Sequence, residues 1–132
     1  MGVQENVASV RRFYAAGPPD DDRDRARFAS PDVVWHVPGD NPVSGPYRGQ
    51  HAVFTELGDR MQPLAEWDVQ LVDVMANVDM VVATVRVVAA RGTQRVETNG
   101  AHVFRFDDRG RIVEAWGFTV DQAGLDAVFR EG

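Results

Sequence analysis

Apolar residues recur along this chain in two rhythms, a helical spacing in the first half and a strand-like alternation in the second. Val7, Val10 and Tyr14 fall on one helical face with Phe13 beside them, which predicts an amphipathic helix over residues 4–16, ended by Gly17-Pro18-Pro19. The run DDDRDRARFAS places acids before arginines, the order a helix dipole favours. It reads as a short second helix stopped before Pro31, its charge a solvated face. VVWHV is a short strand, and residues 38–47, rich in Pro, Gly, Asn and Asp, form a loop. Val53, Phe54, Leu57 and Met61 supply the apolar side of a third helix over about 49–61.

From Trp67 onward the period becomes two. WDVQL alternates, and VDVM continues in the opposite phase; such a flip predicts a bulge, and with it a bent sheet. MVVATVRVVAA, RVETNGAHVFRF and RIVEAWGFTV follow, separated by turn residues, and read as an antiparallel meander. DQAGLDAVFR closes the chain as a helical turn. The expected class is α+β, with three helices from the N-terminal half packed on a long, strongly curved sheet around a concave cavity for a small ligand.

Composition narrows the chemistry. The chain has 132 residues, one domain's worth, spanning 1–132 without repeats or linkers. Its net charge of -6 argues against nucleic acid, which needs concentrated positive charge. No apolar run approaches the ~20 residues that cross a bilayer, and no secretory signal precedes the first helix, so the expectation is a cytoplasmic protein without a membrane partner. Cysteine is absent, which removes thiol nucleophiles and thiolate metal sites. All 14 basic residues are arginine, which removes lysine Schiff bases and a P-loop lysine. None of the three serines lies in a G-x-S-x-G turn. His, Asp, Glu, Tyr and Arg remain, the acid–base set.

Face assignment picks out candidates. On residues 94–106 the even positions form the apolar face, and His102 lies on it with Phe104 and Phe106. In RIVEAWGF, Ile112, Glu114, Trp116 and Phe118 share parity, so Glu114 is a second ionisable group on an apolar face. His36 ends its strand and is expected to point inward, with the following loop as the pocket rim. Each has an ordinary structural alternative. His102 can be a hydrogen-bonded core histidine, and His36 a strand-end residue holding the Pro-Gly loop. Asp121 can be the N-cap of the closing helix. Tyr14 can be a core residue with a satisfied hydroxyl. Trp35, Phe54, Phe104, Trp116 and Phe118 are pocket wall or core. The three histidines lack H-x-H or H-x-x-x-H spacing, so neither a metal nor another cofactor is expected.

W-H-V-P-G, then P-x-S-G-x-Y-R-G, then H-V-F-R-F-D-D-x-G-R-I-V-E-A-W and D-Q resemble the nuclear transport factor two-like superfamily, and within it the SnoaL-like branch that shares its fold with ketosteroid isomerase. The resemblance spans nearly the whole chain and is most specific over 35–49 and 102–122. It implies a cone: three N-terminal helices on a highly curved, mostly antiparallel sheet around a deep apolar pocket. It also implies roles. His36 stands where the isomerase has its general-base Asp, at the end of the first strand. His102 stands where it has a protonated Asp that donates to an oxyanion. Tyr14 or its neighbour Phe13 matches a tyrosine donor on the first helix, and Asp121 matches the base of SnoaL-like cyclases.

These features lead to an expected cofactor-free acid–base enzyme, of isomerase, polyketide cyclase or lyase type, acting on a small apolar carbonyl compound. Asp121 or His36 would take a proton beside the carbonyl, and His102, with Tyr14, would donate to the enolate oxygen. Two alternatives stand beside it. One is epoxide hydrolysis by an activated water, with Arg86 as the arginine of an Asp-Arg-Asp set. The other is a non-catalytic module that holds an apolar ligand or a partner. The valine-rich sheet face and the resemblance together imply a homodimer.

Overall fold

The computed structural model describes residues 2–130. Helix α1 (Val3–Ala16) and helix α2 (Asp22–Phe28) precede strand β1 (Ala29–Val37). Asp21 caps α2, its carboxylate accepting from the Asp24 N–H at 2.8 Å. Strand β2 (Gly45–Arg48), a π-helical turn (Ala52–Glu56) and helix α3 (Leu57–Met61) follow. Then come β3 (Glu66–Ala76), β4 (Met80–Arg91), β5 (Gln94–Phe106), β6 (Ile112–Thr119) and helix α4 (Gln122–Arg130).

The six strands form one sheet in the order β2-β1-β6-β5-β4-β3. It is mixed, because β1 runs parallel to β6 while the other neighbours are antiparallel. Parallel pairing requires a long crossover, here everything between β1 and β6.

This corrects the expected cone. Two helices, not three, precede the sheet; the third helical segment lies between β2 and β3 and is π-helical in its first part. The sheet is open, with β2 and β3 as unpaired edges, and it is not strongly curled. The predicted bulge is present between Leu71 and Asp73. It re-phases one edge strand only, while β4 and β5 pair without a break from Met80↔Arg105 to Arg91↔Gln94. The predicted loop over 38–47 also ends in β2, where Tyr47 pairs with Trp35.

One face of the sheet is covered. Val81, Ala83, Val85, Val87 and Ala89 alternate inward on β4, and Phe104 and Phe106 on β5. All but Ala89 pack against Val10 of α1, Val53 of the π-helical turn and Trp35 of β1. A second, smaller cluster lies under α4, where Val128 and Phe129 meet Val43, Ala65, Ala89 and Val96. No described helix is long and apolar enough to cross a membrane.

Candidate functional site

A cavity of about 380 Å³ lies between the covered sheet face and α1, the π-helical turn and α4. Its walls are largely apolar: Phe13, Trp35, Phe54, Trp67, Leu125 and Phe129. Two ionisable side chains face it, Tyr14 from α1 and His102 from β5. Asp68 borders the cavity, but its carboxylate accepts from Gln70 at 2.8 Å and so shares Gln70's face of β3.

The Tyr14 hydroxyl and His102 Nδ1 are hydrogen-bonded, and their rings stack at 5.8 Å with 12° between planes. Trp35 meets the imidazole edge-on at 5.6 Å. Burial pulls the His102 pKa from 6.5 down to about 4. Burial also pushes the Tyr14 pKa well above its ordinary value. At neutral pH both groups are therefore uncharged, and one proton lies between them. With Nδ1 bare, the tyrosine donates and Nε2 carries a proton. With Nδ1 protonated, Nε2 is bare and the hydroxyl is free to donate elsewhere.

The structure places the other expected site residues as follows. Trp35 and Phe54 line the cavity. Phe104 is fully buried behind it, touching Trp35, Tyr14 and His102 edge-on. His36 follows Trp35 on β1 and so points to the opposite face of the sheet. There its Nε2 meets Glu114 Oε2 at 2.6 Å and its ring stacks on Trp116 at 5.6 Å. His36 and Arg105 hold the Glu114 carboxyl below its usual range. Trp116 and Phe118 face that same outer side. A shift of register between Arg105 and Phe106 inverts the phase of β6 after Ile112, so Ile112 is buried while Glu114, Trp116 and Phe118 turn outward. Asp121 does not reach the cavity. It caps α4, its Oδ1 accepting from the Gly124 N–H at 2.9 Å, and its own N–H donates to Thr98 Oγ1 at 3.0 Å. Arg86 is also on the outer face, 3.3 Å from Glu97. Of the catalytic candidates, Tyr14 and His102 are thus brought together, and His36 and Asp121 are not.

The outer face holds a larger hollow of about 480 Å³, between Val72, Asn99, Ala101, Phe118 and Val120. No ionisable side chain lines it, whereas Tyr14 and His102 line the smaller cavity. No group of three or more His, Asp or Glu residues is arranged to hold a metal among the described residues.

Asp126 on α4 was not singled out by the sequence. It is buried and holds α4 to the loop between β1 and β2. One signal was available: an acid inside the apolar stripe of Leu125, Val128 and Phe129.

The sequence profile of the SnoaL-like domain matches residues 10–115. The fold recurs in Bal32a, from a soil-derived mobile gene cassette, at 26% identity and a TM-score of 0.84, covering 97% of this chain and 98% of that one. A Xanthomonas campestris protein with a cystatin-like fold is 28% identical, with a TM-score of 0.79 over 96% and 98% of the two chains. An NTF2-like protein from Burkholderia xenovorans is 20% identical, with a TM-score of 0.79 over 98% of each chain. No curated protein matches the chain. Profile and fold agree: the chain belongs to the SnoaL-like domain family.

Proposed function

We propose that this protein is a cofactor-independent acid–base enzyme of isomerase, cyclase or lyase type, and that its substrate is a small apolar carbonyl compound held in the cavity. Membership of the SnoaL-like family supports an enzymatic role in general. The observation that carries the finer reading is the Tyr14–His102 pair, two uncharged proton carriers in contact on an otherwise apolar wall. Because no charged side chain faces the cavity, a route that avoids ions is favoured there. His102 Nε2 accepts a proton from the carbon beside the carbonyl. Nδ1–H passes its proton to the Tyr14 oxygen, and the Tyr14 O–H proton goes to the carbonyl oxygen. The product is the neutral enol, and reversal at another carbon moves a double bond. Asp121 and His36 take no part, since neither side chain reaches the cavity. The epoxide reading loses its arginine for the same reason.

The test is deuterium uptake in heavy water, followed by NMR with a β,γ-unsaturated cyclic ketone and a 1,3-diketone as probes. Wild type should catalyse uptake at the carbon beside the carbonyl, and Tyr14→Phe and His102→Ala should each lower the rate by ~100-fold. Equal rates in all three proteins would remove the mechanism. Probes that bind and shift the His102 resonances yet never exchange would make the protein a carrier.

A second copy of the chain covers the outer sheet face in this reading. Phe118, Val120, Val72 and Met75 are 56%, 81%, 67% and 54% exposed there, an apolar surface that a monomer rarely leaves in water.

A further inference from the structure

The loop between β1 and β2 reaches the cavity at Pro38, Asn41 and Val43, and α4 reaches it at Leu125 and Phe129. Between these two walls lies Asp126, buried and accepting three hydrogen bonds. Asn41 Nδ2 donates to Oδ1 at 2.6 Å, Gln122 Nε2 to Oδ1 at 2.9 Å, and the Asp40 N–H to Oδ2 at 3.1 Å. Burial raises the pKa of this carboxyl, but those donors and Arg130 outweigh it and hold the pKa below the usual value. Gly39 passes directly over the carboxylate. Its φ is +95°, and a Cβ there would stand 2.3 Å from Asp126 Oδ1 and from Gln122 Nε2. The loop is knitted within itself as well. Asn41 Oδ1 accepts from the Val43 N–H, and Ser44 Oγ donates to the Pro38 carbonyl at 2.9 Å.

One residue before Gly39, Pro38 meets the proposed site. Gly117, the β6 partner of His102, leaves only tight space for a side chain. A Cβ there would lie 3.0 Å from Pro38 Cδ and 3.7 Å from His102 Cδ2. The proline and imidazole rings thus flank one point.

We propose that Asp126 is a positioning residue of the cavity: by gripping Asp40 and Asn41 it seats Pro38 against Gly117 at the edge of His102 and keeps water off the imidazole. The inference rests on the Tyr14–His102 reading of the site, yet it makes a claim that needs no substrate. The Arg130–Asp40 ion pair at 3.0 Å lies on the surface and adds little to the grip.

The experiment is NMR on a graded set. Gln122→Ala removes one donor. Asp126→Asn keeps one acceptor oxygen and turns an amide N–H2 toward a donor that the carboxylate had satisfied. Gly39→Ala pushes the loop away with Asp126 intact. Arg130→Gln is the control. The expected result is loss of the Pro38–Gly117 nuclear Overhauser contact in Asp126→Asn and Gly39→Ala, with weakening in Gln122→Ala and no change in Arg130→Gln. The His102 midpoint should rise by about one pH unit toward its ordinary value, a tenfold change in its proton affinity. Contact and midpoint unchanged in every folded variant, Gln122→Ala included, would overturn the proposal. An ordinary midpoint in wild type with the Pro38 contact present and lost on cue would instead count against the dry, uncharged site while leaving Asp126 its positioning role.

Discussion

His102 carries the most informative titration in the molecule. Its folded pKa of about 4 lies below its ordinary 6.5, so the unfolded chain binds this proton more tightly. Its contribution to stability is therefore complete above about pH 6.5 and is lost as pH falls toward 4, amounting to about 3 kcal/mol at full protonation. The lowered carboxyls of Asp107, Asp126 and Glu114 act in a window further down, near and below their ordinary values. Urea unfolding at pH 7.5 and 5 should show wild type weaker at the lower pH, and His102→Gln, which keeps an acceptor for the Tyr14 hydroxyl, should lose most of that difference. An equal difference in both proteins would mean the imidazole is not dry. His102 was legible because β5 keeps one phase, so its parity with Phe104 and Phe106 fixed its face. His36 was not, because VVWHV is apolar at odd and even positions alike, and alternation then cannot say which side is covered.

At the level of elements, the same limit governs what could be read. The long periodic segments were visible: α1, β4 and β5 follow their predicted spans closely, while α2 ends at Phe28 because Ala29 and Ser30 already open β1. The parallel contact of β1 with β6 was not, since no local pattern encodes which distant strand arrives beside another. Neither was the inversion of β6, where a single irregular step at the Arg105/Phe106 register sends Trp116 and Phe118 outward. Asp121 shows how one residue type supports two readings until an element is built around it. As a cap it serves α4 through one acceptor oxygen, which an asparagine also supplies. Asp121→Asn should therefore leave both stability and turnover near wild type, while Asp121→Ala should cost about 1 kcal/mol in urea unfolding. A large loss of turnover in Asp121→Asn, with stability intact, would restore this residue as a base and displace the Tyr14–His102 relay.

At the scale of the whole molecule, the two proposed tasks fall on opposite faces of one sheet. The covered face holds the cavity with its uncharged pair. The other face carries the ion pairs Arg105–Glu114 and Arg86–Glu97 and the His36–Glu114 hydrogen bond around the apolar residues Phe118, Val120 and Val72. Surface pairs of this kind contribute little free energy, so the proposed association of two copies would have to come from the apolar centre. Each large apolar side chain fully removed from water contributes roughly 1.5–3 kcal/mol, and Phe118 stands beside the hollow between Asn99 and Ala101 that a second copy can fill. Phe118→Glu places a charge in that centre and should convert a dimer to a monomer in sedimentation equilibrium at micromolar concentration. The same substitution should leave the His102 midpoint where it is, because the two side chains lie on opposite faces. A wild-type protein that stays monomeric at ~100 µM would remove the dimer, since an interface of standard size holds well below that concentration. A shift of the His102 midpoint in Phe118→Glu would mean that assembly and the cavity are coupled through the sheet, and that the second copy helps to keep the imidazole dry.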